Sequence, residues 1–299
     1  KTTSIVCALV TTFIWGTAFI AQDTGMDNIG PLSFNAARFF VGFFTILPIA
    51  LIFERKSIIQ NINTNKNVFF KYLILMSVSL FLGTYLQQTS LLYTNVANAA
   101  FFTVFYVPLV PIILYVVYKS TVHWSIWPSI ILCILGVYFL SDFSDSKILI
   151  GDGLVIICSF FWALHIIFAG KFMEKFNIPI FFAALQAFLV GAYSLFFALL
   201  FEEINLSNIL LENYSIIYAG FFSGGIAFTL QMFAQKNIEE APAAIIYSLE
   251  GVFAALAGWI ILNQILNLNN IIGCFLILVA VILSQITPSL KKLSVHNNK

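Results

Sequence analysis

Charge is what this sequence has least of. Its 299 residues hold only 14 Lys and Arg and 13 Asp and Glu, 9% of the chain, where an ordinary soluble domain carries about 25%. So few charges cannot clothe the exterior of a soluble globule of this length. The net charge of +1 supplies no basic field for nucleic acid. Cysteine and histidine are equally sparse. Cys7, Cys133, Cys158 and Cys274 stand singly inside apolar runs, without CxxC spacing or a neighbouring histidine, so they read as packing residues, and neither a metal nor another cofactor is expected. GxSxG, HExxH and P-loop patterns are missing, which argues against an enzyme and against bound ATP as an energy source. What is abundant is apolar: 61% of residues are hydrophobic and 33 are Phe, with a mean hydropathy of +0.97. That composition belongs to the membrane class, with the lipid bilayer as solvent.

A hydrocarbon core about 30 Å thick is crossed by roughly 20 residues of helix. Ten such segments can be marked: Ser4 to Ala21, Pro31 to Phe53, Tyr72 to Tyr93, Val96 to Tyr118, Ser125 to Leu140, Ile150 to Ala169, Pro179 to Phe201, Tyr214 to Gln235, Ala241 to Asn263, and Leu268 to Ile286. The first lacks a small-residue cleavage pattern and is expected to stay as a spanning helix. The links are short and polar, such as Asp23 to Gly30 and Ser141 to Lys147, and the longest, Glu54 to Lys71, reads as a loop. Lys1, Arg55, Lys56, Lys66, Lys71, Lys119, Lys171, Lys175, Lys236, Lys291, Lys292 and Lys299 lie in the amino terminus, the even-numbered links or the carboxyl tail, whereas the odd links hold Lys147 and most of the acids. Basic flanks are retained in the cytoplasm, so both termini are expected there.

The two halves resemble each other. A shift of 148 residues lays Pro31, Phe34, Ala36, Phe40, Ala50, Leu51, Phe53 and Glu54 on Pro179, Phe182, Ala184, Phe188, Ala198, Leu199, Phe201 and Glu202, where about two such matches would arise by accident. A nearly equal shift puts Trp15 on Trp162, and one of 144 puts Asn98 on Pro242 and Tyr106 on Glu250. Five spans per half is an odd number, so the second half must enter from the opposite side. The expected fold is all-α, ten transmembrane helices in two inverted five-helix repeats, 1–149 and 150–299, an arrangement that places a solute site near the midplane between repeats.

Polar side chains inside spans normally face a cavity or a partner. Glu250 is the sharpest case. It shares a helix face with Tyr247, three residues earlier, and either lines a cavity with Tyr106 or holds helices together by a hydrogen bond. His165, one turn after Trp162, could add a titratable group to an aromatic wall, with Trp15 opposite. Among the glutamines, Gln87 and Gln231 sit on the third helix of each half and are the better pathway candidates; Gln88, Gln186 and Gln235 suit interhelical bonds. Arg38 either snorkels outward, pairs with a carboxylate or meets solute. Pro108 and Pro111 should kink the fourth span.

Several stretches carry a family resemblance. They are Phe-Ile-Trp-Gly-Thr-Ala-Phe-Ile-Ala at 13–21, Ala-Arg-Phe at 37–39, Gln-Gln-Thr-Ser-Leu-Leu-Tyr-Thr at 87–94, Phe-Trp-Ala-Leu-His at 161–165 and Ser-Leu-Glu-Gly-Val-Phe-Ala-Ala-Leu at 248–256. Together they resemble the EamA-type branch of the drug/metabolite transporter superfamily. The last is similar to the family's Ser-Leu-Glu-Pro-Val-Phe-Ala-Ala signature with Gly251 in place of proline, which leaves the kink beside Glu250 open. The resemblance implies a plasma-membrane carrier for a small-molecule substrate, such as an amino acid or related solute, often an exporter, with no nucleic acid as partner. Its cavity would be lined by Trp15, Gln87, Tyr106, Trp162, His165, Gln231, Tyr247 and Glu250. Proton coupling would run through Glu250 or His165. A passive facilitator or channel is the competing reading, since topology does not separate it from a carrier.

Overall fold

The computed structural model describes residues 2–94, 96–140, 150–262 and 267–296. The Ser141 to Lys147 link, with Asp142, Asp145 and Lys147, lies outside the described residues, as does Asn263 at the end of the ninth expected span. Among the described residues, nine helical stretches are long and apolar enough to cross a bilayer, and a shorter one, Ile126–Leu140, makes the tenth.

In the first half the helices are α1 (Thr2–Thr24), α2 (Pro31–Phe53), α3 (Arg55–Thr64), α4 (Lys66–Ser90), α5 (Val96–Thr103), α6 (Tyr106–Tyr118) and α7 (Ile126–Leu140). In the second they are α8 (Ile150–Met173), α9 (Pro179–Phe201), α10 (Leu206–Leu211), α11 (Asn213–Tyr218), a π-helical turn over Ala219–Ala227, α12 (Phe228–Gln235), α13 (Glu240–Tyr247), α14 (Leu249–Leu262) and α15 (Leu268–His296). The third span therefore starts earlier than expected, at Lys66, and the Glu54 to Lys71 stretch is no plain loop. Its α3 is amphipathic: Ile58 and Ile62, four residues apart, turn onto the phenylalanine cluster of Phe69, Phe172, Phe176 and Phe182, which supplies the burial a ten-residue helix needs.

The packing obeys a pseudo-two-fold relation. Helix α2 lies on α9 and α7 on α15, each the mate of its own partner. The α4–α8 contact is mirrored by α1 against α12 and the π turn, and the α1–α14 contact by α8 against α5 and α6. At the α7–α15 crossing, a methyl group on Gly273 would sit 2.5 Å from the Gly136 carbonyl, so the two backbones touch where small residues allow it.

The α2–α9 pair shows what the matched glutamates do. Glu54, just past the end of α2, accepts from the backbone N–H groups of Ile180 and Phe181 at 3.1 and 2.8 Å. Glu202, just past the end of α9, accepts from the N–H groups of Leu32 and Ser33, both at 2.8 Å, and from the Ser33 hydroxyl at 2.7 Å. Each helix thus ends in a carboxylate that caps the other's amino terminus, satisfying orphan donors and complementing the helix dipole. The pair must therefore run antiparallel over its full length. Burial holds the Glu54 carboxyl above its ordinary range, while the two N–H donors pull it back.

Two spans are broken at matching places. The fourth divides at Val104 and Phe105, where N–H groups reach back only three residues, to Phe101 and Phe102, each at 3.2 Å. Pro108 explains the position, because it offers no donor to the carbonyl four residues earlier, that of Val104, and its ring crowds it. The ninth divides at Ser248, where the Gly251 N–H reaches back to the Ser248 carbonyl at 3.3 Å. No proline follows; the Ser248 hydroxyl bonds the Ile245 carbonyl at 2.7 Å instead. The shift of 144 residues that equates Tyr106 with Glu250 also equates Val104 with Ser248. The eighth span, expected as one helix, is three segments, and its π turn is glycine-rich. A methyl group on Gly220 would lie 2.6 Å from the Arg38 carbonyl, and one on Gly42 would lie 2.8 Å from the Gly224 carbonyl carbon. The turn's backbone therefore lies directly on α2 at the level of Arg38.

Candidate functional site

A cavity of about 30 Å³ lies between the halves, lined by Trp15, Phe19 and Gln22 of α1, Arg38 of α2, Thr84 and Gln87 of α4, Thr103 of α5, Tyr106 of α6, Trp162 and Ile166 of α8, Ser223 of the π turn, Phe228 of α12, Tyr247 of α13 and Glu250 of α14. That is room for roughly two water molecules. The broken helices deliver its polar ends: Tyr106 is the first residue of α6, and Glu250 the second of α14. Residue Gly16 lets α1 come close, since a methyl group there would lie 2.6 Å from the Glu250 carbonyl.

One wall is aromatic. The Trp15 ring lies 6.0 Å from Trp162, 5.6 Å from Tyr247 and 5.2 Å from Phe228, and Trp162 is parallel to Phe228 at 6.2 Å with 5° between planes. These contacts join α1, α8, α12 and α13, so the wall is shared by both repeats. The indole N–H groups of Trp15 and Trp162 and the hydroxyls of Tyr106 and Tyr247 are buried with no protein hydrogen-bond partner. The Tyr106 hydroxyl lies against the Glu250 carboxyl without meeting hydrogen-bond geometry. Each such orphan costs about 1–3 kcal/mol, so four together around one cavity mark a place that something from outside the protein satisfies.

The opposite wall is polar. Buried Arg38 donates from Nη1 to the Gln22 side-chain oxygen at 2.7 Å and from Nε to that of Asn35 at 2.8 Å. Gln87 donates to the Thr103 hydroxyl at 3.1 Å, which in turn donates to the Ala99 carbonyl at 2.7 Å.

Six of the eight residues expected at the site therefore share this cavity: Trp15, Gln87, Tyr106, Trp162, Tyr247 and Glu250. His165 and Gln231 do not line it. His165 is fully buried behind the aromatic wall, edge-on to Trp162 and to Phe228 at 5.9 and 5.8 Å, with Nε2 3.2 Å from Gln186 on α9. A three-residue step turns a helix by about 300°, so sharing the Trp162 face still leaves an offset of about 60°, enough here to aim the imidazole at the next helix. Gln231 is also fully buried, its amide nitrogen and oxygen both unbonded. The bland role suits two other glutamines: Gln88 donates to the Gln22 carbonyl and Gln235 to the Ile166 carbonyl, each at 2.7 Å, tying the third helix of each half to its first. Sequence reasoning passed over Phe228, which nothing distinguishes among 33 phenylalanines. It also passed over Ser223, for which three glycines within the same nine residues, Gly220, Gly224 and Gly225, were the available signal.

The EamA-like transporter family model matches residues 2–142 and again 149–285. The chain belongs to that family. This EamA-like transporter is 33% identical over 273 residues to an uncharacterized transporter of Archaeoglobus fulgidus, covering 90% of this chain and 82% of the relative. It is 23% identical over 288 residues to the uncharacterized transporter YoaV of Bacillus subtilis, covering 94% and 96% of the two chains. A solved crystal structure overlays on it with a TM-score of 0.74 at 13% identity, over 95% of this chain and 97% of that one, a likeness of fold. It is accordingly a multi-pass membrane transporter of the drug/metabolite type.

Proposed function

We propose that this EamA-like transporter is a secondary carrier that exports small metabolites such as amino acids or related solutes across the plasma membrane, with both termini in the cytoplasm. The observation that carries this reading is the ring of unbonded donors, two indoles and two phenols, on helices of both repeats around one cavity. Groups of this kind are retained at cost and repaid when a solute accepts from them. The cavity admits only about two waters, so loading a metabolite requires the halves to part. Rocking of one inverted repeat against the other, hinged at the broken fourth and ninth spans, opens it to each side in turn. Coupling to protons runs through Glu250, which lines the cavity, rather than through His165, which stands behind the wall.

The test is counterflow in proteoliposomes. A carrier accumulates labelled solute against an unlabelled internal pool, and Trp162→Ala or Tyr247→Ala, at residues that line the cavity, abolishes accumulation while the protein still elutes as folded. Equilibration without transient accumulation identifies the facilitator instead. Flux that ignores a pH gradient and survives Glu250→Gln removes the coupling proposal.

A further inference from the structure

Arg38 sits about 11 Å along α2 from its amino end, by helix rise, only 3% exposed. Among the described residues it makes no ion pair; the ion pairs there belong to Lys171, with Glu174 and Glu240. Its neutral partners, Gln22 and Asn35, take Nη1 and Nε, and the rings of Phe34 and Phe39 lie 5.5 and 5.1 Å from the guanidinium carbon. Cation–π contact and neutral acceptors offset part of the cost of burying a guanidinium, but a buried charge ordinarily requires a counter-charge. Glu250, the one acid in the cavity wall, faces Tyr106 and is not paired with Arg38. The side chain is held at Nε and Nη1 and lines the cavity, with no acidic partner among the described residues.

Resting on the carrier reading above, we propose that Arg38 anchors a carboxylate on the transported solute. Gln22 and Asn35 hold the guanidinium plane so that its remaining N–H groups face inward, the planar fork that suits a carboxylate and that a lysine lacks. The solute is thus an organic acid, oriented with its carboxylate toward α2 and its remaining surface against the Trp15, Trp162 and Tyr247 rings. Acid, not size alone, is what the site selects.

The test uses the full chain in detergent at pH 7, reading quenching of tryptophan fluorescence and thermal stabilisation with three acid and amide pairs: leucine and leucinamide, phenylalanine and phenylalaninamide, 4-methylpentanoate and 4-methylpentanamide. Each acid that binds should do so on the order of tenfold or more tighter than its amide, the worth of one charge-assisted hydrogen bond. Arg38→Gln should erase that preference by weakening the acid alone, and Arg38→Lys should retain part of it. Should the variants fail to fold, the acid and amide comparison on the unaltered chain stands by itself. Equal affinity within every pair, or an Arg38→Gln loss that falls equally on acid and amide, overturns the anchor while leaving the carrier in place. No response to any of the six compounds overturns the anchor, and if counterflow also fails with all six the carrier reading goes with it.

Discussion

Gly30 stands immediately before α2 with φ −75° and ψ 164°, a conformation that alanine adopts freely. Backbone freedom is therefore not why glycine is there. A methyl group at Gly30 would overlap the Glu202 carboxylate that caps α2, and that carboxylate, at the end of a flexible side chain, would swing away and abandon its bonds to Leu32 and Ser33. Losing a helix cap costs about 1 kcal/mol, and losing an acid at the dipole's positive end about 0.3–1 more. Since Glu202 is only half-buried, solvent screening trims that sum, and Glu202→Ala should cost about 1.5 kcal/mol. Gly30→Ala alone recovers about 0.4–1 kcal/mol by restricting the unfolded chain, so it should destabilise by about 1 kcal/mol. With Glu202 already removed, no overlap remains and the same Gly30→Ala change should stabilise. The assay is unfolding in mixed micelles of rising SDS fraction, followed by tryptophan fluorescence, for both single variants and the double. A sign reversal between the two backgrounds is the expected result. Additive losses would refute the capping role, because changes that share no partner add.

Three further outcomes follow from the geometry. Gly220→Ala would place a methyl group 2.6 Å from the Arg38 carbonyl; it should push α2 off the π turn and lower solute affinity more than fold stability, read as a rise in the half-saturating solute concentration at a near-constant unfolding midpoint. His165→Asn should cost about 1–3 kcal/mol of stability through the Gln186 bond and the two edge-on ring contacts, yet leave the pH profile of transport where it was; a displaced profile would put His165 on the proton path. Because burial holds Glu54 above its ordinary value, the folded chain carries a proton that the unfolded chain lacks between those two values. The stabilisation should therefore be full below that window, fall as pH rises through it and level off above it; Glu54→Gln should flatten this component, and an unchanged slope would contradict it.

Much of the architecture was legible because the bilayer imposes a length on every apolar run, and the inversion was legible because five is odd. The aromatic and acidic wall was legible for the same reason that polar groups in lipid are rare: Glu250, Tyr106, Tyr247, Trp15, Trp162 and Gln87 could be singled out before any contact was known. What escaped notice depends on partners distant in sequence. Glu54 and Glu202 stood out as matched residues, but their capping role needs amide groups more than a hundred residues away. The π turn depends on close approach of α2 to Gly220 and Gly224, and the fate of His165 on a side-chain direction that a helical wheel resolves only to a broad face. The ninth span divides beside Glu250 without the family's proline, with the Ser248 hydroxyl bonded to the Ile245 carbonyl and the Gly251 N–H reaching back three residues.

If the cavity between the repeats is the solute path, it opens to one side at a time. Ser223 lines it from the π turn. In a chain whose four free cysteines, Cys7, Cys133, Cys158 and Cys274, are replaced, a cysteine introduced by Ser223→Cys can be probed in sealed vesicles with a membrane-impermeant thiol reagent added from either face. Alternating access should give labelling from both faces, with conditions that raise reactivity on one face lowering it on the other. Labelling from neither face, or rates that rise and fall together on both, would contradict it.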